Sequence, residues 1–312
     1  MRSGASIRLS RPASARASLP AEPAILAAAF AAVTIWAATP IVTKVAVDVF
    51  DPLLVAMMRS VLAGVVLIPV IIFGRRVPLP RDRRGWGLLL TSSLSGFVAF
   101  PILISLGLRH TTASHVALIQ MVQPIFTGLI AAVTERRWLG RFWALGCALA
   151  VIGEVAMIGF RFGLSSEGGV VGDLLVLAST ICASLAYVAG SHCSRRIGTW
   201  AATLWGNVLA GGVLLAPLLL LARHVSWAQV GFAVWGSVSY LAIFSSVIGY
   251  IAWYWALARG GVARMGATQF AMPVMTLMLA ALLLGERVTL PLVLSGAAIL
   301  LGVWLTQRRP PA

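Results

Sequence analysis

The stretch QMVQPIFTGLIAA, residues 120–132, returns later in the chain as QFAMPVMTLMLAA, residues 269–281. Both copies begin with a glutamine, place a proline four residues later and end in two alanines, at an offset of 149 residues. Each lies in an apolar run long enough to cross a bilayer. There an unpaired amide costs roughly 2–7 kcal/mol, and a proline removes a backbone hydrogen bond. The repetition of such a costly combination indicates two equivalent halves of one fold.

A second echo supports this division, because VLAGVVLIP at 61–69 resembles VLAGGVLLAP at 208–217. Five apolar runs fall in each half, and an odd number makes the second half enter the membrane from the opposite side. We therefore predict an all-α integral membrane protein with ten transmembrane helices in a 5+5 inverted repeat. The two units are 24–160 and 171–306. The predicted spans are 24–45, 53–73, 86–108, 114–134, 142–160, 171–191, 200–222, 232–256, 264–284 and 289–306.

Composition excludes a soluble globule. The chain has 312 residues, of which 60% are hydrophobic and only 11% charged, and its mean hydropathy is +0.95. The net charge of +15 comes from arginines in short clusters between apolar runs, which argues against nucleic-acid binding. Three cysteines provide no disulfide framework or metal-ligand spacing, so we predict no metal site and no cofactor.

The basic residues also predict the topology. With the N-terminus inside, 18 of the 24 Lys and Arg residues fall on the cytoplasmic side and only four outside, so both termini are predicted to be cytoplasmic. Residues 1–23 are predicted to be a disordered cytoplasmic tail, and 307–312 a second, short one. The composition of residues 1–20, rich in Arg, Ser and Ala, is also typical of an organellar transit peptide.

Polar and aromatic side chains inside the spans indicate a binding cavity. Gln120, Gln123 and Thr127 share a helical stripe about 60° wide, and an equivalent stripe in the second half contains Gln269. The alternative is that these amides hold helices together. The run Tyr250, Trp253 and Tyr254 fits either substrate stacking or an interfacial aromatic belt. The candidate substrate-binding residues are Trp36, Thr39, Thr43, Gln120, Gln123, Tyr187, Tyr250, Trp253, Tyr254, Gln269 and Met272, with Pro40, Pro124 and Pro273 as helix-bending residues.

Charged residues inside the spans are few. Lys44 and Arg59 lie near Asp48 and Asp51 in the sequence, which favours a structural network between spans one and two over carboxylate binding by Arg59. Glu154 is the only acid well inside a span. It is a candidate proton carrier, or else a packing residue.

These features together resemble the drug/metabolite transporter superfamily, in its ten-helix EamA-type branch, over residues 24–306. The residues that support the resemblance are Trp36, Pro52, Arg59, Pro124, Glu135, Pro273 and Gly285-Glu286. The resemblance implies a secondary transporter, usually an exporter of amino acids or related metabolites across a bacterial inner membrane. It also implies a cavity built by spans one, three, four, six, eight and nine, with span five at the periphery. Span six departs from the pattern, with Ala183-Ser184 where a tryptophan is usual.

We therefore predict a multi-pass inner (plasma) membrane transporter that works by alternating access. Its expected substrate is a neutral or zwitterionic small molecule such as an amino acid. Aromatic and other neutral amino acids are included in this expectation. The protein is expected to lie in the lipid bilayer as a monomer or a weak homodimer. The chain has no HExxH, no G-x-S-x-G, no pair of intramembrane aspartates and no P-loop, so no catalytic residues are predicted. The alternatives are a non-transporting membrane scaffold and an intramembrane enzyme.

Overall fold

The computed structural model describes residues 22–308, apart from 48, 74–76, 111–115, 117–118, 163–168, 224, 226, 228–229 and 285–288. The described residues form helices and no strands. This arrangement suits a bilayer, because a helix satisfies its backbone hydrogen bonds internally where no water is available. The predicted Gly285-Glu286 motif and most of both predicted tails lie outside the described residues.

In the first half of the chain, six α-helices have bounds within the described residues. Two of them, α3 and α4, are joined without a break by a π-helical segment that we label π1. The elements are α1 Glu22–Val47, α2 Pro52–Phe73, α3 Arg83–Ser93, π1 Leu94–Ala99, α4 Phe100–Leu108, α5 Gln123–Glu135 and α6 Arg141–Phe162.

The second half also contains two long helices followed by a helical rod with a π-helical segment. Its π-helical segment, π2, begins 147 residues after π1 and again lies inside one long helical rod. The elements are α7 Val170–Ile197, α8 Thr199–Ala222, α9 Phe232–Tyr240, π2 Leu241–Ile248, α10 Gly249–Gly260, α11 Val262–Gly266, a 3₁₀ segment Ala267–Ala271, α12 Met272–Leu284 and α13 Leu290–Gln307.

Seven helical stretches within the described residues are long and apolar enough to cross a membrane. Many of their large apolar side chains point outward, as expected where lipid replaces water as the solvent. The prediction of an all-α membrane protein is therefore confirmed. The main difference in boundaries concerns α7, which continues to Ile197, whereas the predicted span ended at 191.

Helix packing is paired between the halves. α2 packs against α8, and α6 packs against α13. α1 packs against α10 and α12, while α7 packs against α4 and α5, which are the matching elements of the other half. Interior side chains of α1, α7, π1 and α10 meet in the main hydrophobic core.

Glycines let two of these helix pairs approach closely. A Cβ added to Gly302 would lie 2.6 Å from the carbonyl oxygen of Gly146, and one added to Gly153 would lie 2.9 Å from that of Ser295. At the α2–α8 crossing, a Cβ on Gly64 would lie 3.4 Å from the Cα of Gly211. Small residues are the usual means of bringing helix backbones together in membranes.

The two repeated prolines lie just after irregular backbone. A turn at Met121 and Val122 precedes α5, so Pro124 occupies its first turn, where the missing N–H would have no intrahelical partner. The 3₁₀ segment precedes α12 in the same way, and Pro273 is the second residue of that helix. The prolines therefore follow the interruptions and need not break a regular helix.

Candidate functional site

An aromatic cluster occupies the interior between the two halves. Trp36 stacks on Tyr187 with ring centroids 5.8 Å apart and 11° between the planes. Trp253 approaches both rings edge-on, with centroid distances of 5.4 Å. All members are 8% exposed or less. The aromatic cluster consists of Trp36, Phe97, Tyr187, Tyr250, Trp253 and Tyr254.

The burial of the α10 aromatic residues decides between their two interpretations. Trp253 and Tyr254 are completely buried, and Tyr250 contacts Phe97 at a centroid distance of 4.4 Å. Tyr254 also shares a hydrogen bond of 2.8 Å with the hydroxyl of Ser92. The alternative of an interfacial belt is therefore wrong for this run, because such a belt would expose the rings to the lipid headgroups.

Amides from both halves converge on one phenol. The Nε2 group of Gln269 donates to the hydroxyl of Tyr187 at 3.1 Å, and the side chain of Gln123 lies beside this hydroxyl. The carbonyl oxygen Oε1 of Gln269 is buried and has no hydrogen-bond partner within the part of the chain that the structure describes. A buried amide oxygen without a partner is unfavourable unless a ligand donates to it.

The π2 segment supplies the polar side of the site. Its extra residue per turn leaves carbonyl groups free to accept from neighbouring helices. The indole Nε1 of Trp36 donates to the carbonyl oxygen of Ser245 at 3.0 Å, and Asn207 donates to that of Ser246 at 3.2 Å. Arg59 donates to the hydroxyls of Ser245 and Ser246 at 3.2–3.3 Å.

Other predicted site residues lie around this centre. Thr39 donates to the hydroxyl of Ser245 at 3.4 Å, and Met272 packs against the main core. Thr43 is partly exposed on α1. Gln120 is partly exposed and lies on the other side of the Met121–Val122 turn from Gln123. Pro40 lies within α1, but its side chain is outside the described part of the structure.

The expected network around Arg59 is arranged differently from the prediction. Asp51 forms a close ion pair with Arg109 instead, joining the start of α2 to the end of α4. Burial raises the pKa of Asp51, but hydrogen bonds from Arg109 and the Leu53 amide outweigh it and leave the pKa below its ordinary value. Asp48 and the side chain of Lys44 lie outside the described residues.

Sequence reasoning missed several residues of the site. Phe97 completes the aromatic cluster, and Ser245 and Ser246 bind Arg59. The only signal for the serines was a pair of hydroxyls within an apolar run, which is common in membrane helices. These serines bind Arg59 because of the π2 geometry, and no residue of the segment predicts a π-helix.

Glu154 is 2% exposed on the inner face of α6. Its neighbours on the same helical face are Cys147, Ala150 and Met157, all members of the main core. Its Oε2 atom has no hydrogen-bond partner among the described residues. Among the described residues, no hydrogen bond joins Glu154 to Gln269 or Tyr187.

We expect Glu154→Gln to fold and to keep pH-dependent transport, because glutamine preserves the size of the side chain without requiring burial of a charge. The measurement is flux into proteoliposomes across a pH series, with the melting temperature as the control for folding. Complete loss of flux in a normally folded variant would show that Glu154 carries the coupling proton.

Ion pairs tie helix ends together at one end of the molecule. Arg196 donates to both carboxylate oxygens of Asp82 at 2.7–2.9 Å, which holds the pKa of Asp82 below its ordinary value. Glu135 at the end of α5 binds Arg195 and His192 of α7, each at 3.2 Å. Arg264 and Glu22 form a further close pair.

A cleft of about 460 Å³ opens between these elements, lined by Glu135, Arg137, Arg195, Ala258, Arg259, Gly260 and Gly261.

The described residues form a helical membrane fold with a buried cluster of aromatic and amide side chains between its halves, an arrangement typical of membrane proteins that bind small solutes. The model of the EamA-like transporter family matches this chain twice, over residues 23–159 and 170–308. The chain belongs to this family, and it is a transporter of small molecules and a multi-pass protein of the inner membrane.

Relatives and a solved structure agree with this assignment. The chain is 31% identical over 281 residues to the uncharacterized transporter YdeK of Bacillus subtilis (strain 168), covering 89% of this chain and 95% of YdeK. It is 29% identical to a probable terminal-alkyne amino-acid exporter of Streptantibioticus cattleyicolor, covering 89% and 91% of the two chains. A protein crystal structure with 22% identity has the same fold, with a TM-score of 0.75 over 91% of this chain.

Proposed function

We propose that this transporter is a secondary exporter of amino acids or related small metabolites and that it works by alternating access. The observation that carries the proposal is the convergence of Gln123 and Gln269 on Tyr187, within an aromatic cluster that both halves build. Amides can both donate and accept, so they can bind a zwitterion without a permanent charge. The similarity to an amino-acid exporter supports this substrate class.

The architecture that we propose is a ten-helix 5+5 inverted repeat, with units 24–160 and 171–306 and both termini cytoplasmic. Equivalent hydrogen bonds in the two halves support it. Ser60 of α2 donates to the carbonyl oxygen of Phe97 in π1 at 2.8 Å, and Asn207 of α8 donates to that of Ser246 in π2 at 3.2 Å. Inverted repeats of this kind place the substrate between the halves near the midplane.

The aromatic cluster and Gln269 are buried in this conformation. Trp36 and Tyr187 stack on each other where a solute would lie, and Gln269 is buried. Arg195, Arg196 and Arg264 link helix ends on the side that we propose to be cytoplasmic. Transport then requires these pairs to separate, so that the cleft beside Glu135 extends to the aromatic cluster.

Directional flux tests this function against the two alternatives. Proteoliposomes that contain only this protein should take up a labelled amino acid down an imposed gradient, faster than protein-free liposomes do. A membrane scaffold would show no flux, and an intramembrane enzyme would convert the solute without moving it.

We expect a cysteine placed at position 81 to be inaccessible from outside intact cells, because the loop before α3 is proposed to be cytoplasmic. Arg81→Cys would be made in a background in which Cys147, Cys182 and Cys193 are replaced by alanine. An impermeant maleimide should label it only after permeabilisation, whereas Arg223→Cys should react in intact cells. Strong labelling of Arg81→Cys in intact cells would contradict the proposed topology.

A further inference from the structure

Arg59 is a cation inside a membrane helix whose hydrogen-bond partners are neutral. Its Nε and Nη2 groups donate to the hydroxyls of Ser245 and Ser246. These hydroxyls are engaged with other groups as well, since Ser246 donates to the carbonyl oxygen of Leu241 and Thr39 donates to Ser245. Hydroxyls orient the guanidinium group, but they leave its charge uncompensated.

Nearby acids do not supply the missing negative charge. Asp51, the closest described acid in the sequence, is paired with Arg109. Asp82 and Glu135 bind arginines of α7. Within the described residues, then, no carboxylate forms an ion pair with Arg59. An arginine in a membrane interior usually faces a cavity and marks a substrate path.

Part of the Arg59 guanidinium group is left without a partner near the aromatic cluster. The residue is partly exposed, and its Nη1 group has no hydrogen-bond partner in the part of the chain that the structure describes. Its charge is close enough to the phenols of Tyr187 and Tyr250 to interact with both. Ser245, which binds Arg59, also accepts the indole hydrogen of Trp36, so the guanidinium group and the aromatic cluster share one scaffold.

We propose that Arg59 anchors the carboxylate of the transported solute, and that the site therefore selects small carboxylates with a planar or apolar body. This inference rests on the proposed transport function. The planar guanidinium fork matches the two oxygens of a carboxylate. The body of the solute replaces the Trp36–Tyr187 stack, and the unpartnered Oε1 of Gln269 accepts from an amino group where the solute has one.

Three probes on one carbon skeleton test the proposal with the purified full-length protein at pH 7. They are phenylalanine, 3-phenylpropanoate and phenylalaninamide, which differ only in whether the carboxylate and the amine are present. Calorimetry should show both acids binding at least about tenfold more tightly than the amide, because only they carry the group that pairs with Arg59. Equal affinity for phenylalanine and its amide, or no binding of either acid, would overturn the proposal.

Variants assign the preference to this side chain. Arg59→Gln should weaken binding of both acids at least about tenfold and leave the amide unchanged. Arg59→Lys should retain part of the affinity, because it keeps the charge but loses the fork. Arg109→Gln is the matched control, since Arg109 is an exposed arginine paired with Asp51, and it should bind like the wild type. An Arg59→Gln protein with a normal melting temperature and unchanged affinity for the acids would make Arg59 a structural cation.

Two outcomes separate this inference from the proposed function. If Arg59→Gln does not fold, the comparison of acid and amide in the wild-type protein still decides the inference. Flux of phenylalanine and its amide at equal rates would support the transport function and contradict the role of Arg59 as a carboxylate anchor. Tight, Arg59-dependent binding of the acids without flux in proteoliposomes would preserve the anchor and contradict the export function.

Discussion

Replacing Gln269 by alanine is expected to weaken substrate binding by about 1–3 kcal/mol, or roughly 5- to 150-fold in affinity. The substitution removes the donor to Tyr187 and the unpartnered acceptor Oε1 in one step. Stability should change far less, because one of the two polar atoms of this side chain has no protein partner to lose. The measurement is binding of a transported solute to the purified variant, with melting temperature recorded alongside.

Gln120→Ala and Gln123→Ala extend this test to the first half of the chain. By the internal repeat Gln120 is the counterpart of Gln269, so its loss should also weaken binding by about 1–3 kcal/mol. Gln123→Ala removes the other amide that reaches Tyr187. If Gln120→Ala and Gln269→Ala lower the melting temperature while every transported solute binds as before, these amides only hold helices together.

Gly302→Ala is expected to destabilise the protein by about 1–3 kcal/mol, the usual range for overpacking. The added Cβ would lie 2.6 Å from the carbonyl oxygen of Gly146 and 2.7 Å from the amide nitrogen of Ala150, both backbone atoms. Neither can move aside unless α6 and α13 separate. The measurement is the melting temperature in detergent.

Gly212→Ala is the matched control for this prediction. It makes the same change within α8, at an exposed position where an added Cβ meets nothing within 4 Å. Alanine is the better helix former by about 1 kcal/mol, so this variant should be as stable as the wild type or more so. Equal melting temperatures for the Gly302→Ala variant and the wild type would show that the α6–α13 contact is looser than the structure indicates.

The repeated glutamine–proline motif marks where irregular backbone lies in both halves, because proline is a strong local signal that the sequence shows directly. The same interruption limits the prediction of helical faces. Gln120 and Gln123 lie on one face only if the helix is regular between them. The turn at Met121 and Val122 changes the angle between the two side chains around the helix axis. It is Gln123 whose contact with Tyr187 the structure describes.

Contacts between residues that are distant in the sequence could not be predicted from the sequence. Proximity in sequence suggested that Arg59 would belong with Asp51, but the structure pairs Asp51 with Arg109 and turns Arg59 toward the serines of π2. A π-helical segment depends on tertiary packing rather than on a residue code, so neither π1 nor π2 was expected. The aromatic residues of α10 were recognised, but only their burial excluded a position at the lipid interface.

The stack of Trp36 on Tyr187 has a consequence for the unloaded protein. A carrier must return without cargo, and during that passage an empty interior would let water and small ions leak across the membrane. Under the proposed alternating access, the protein's own rings would take the place of a solute and keep the interior dry between cycles. A solute enters only by offering contacts at least as good as those that the two rings make with each other, worth about 0.5–1.5 kcal/mol beyond area burial. Under this proposal, molecules that interact weakly with the two rings are excluded from the site.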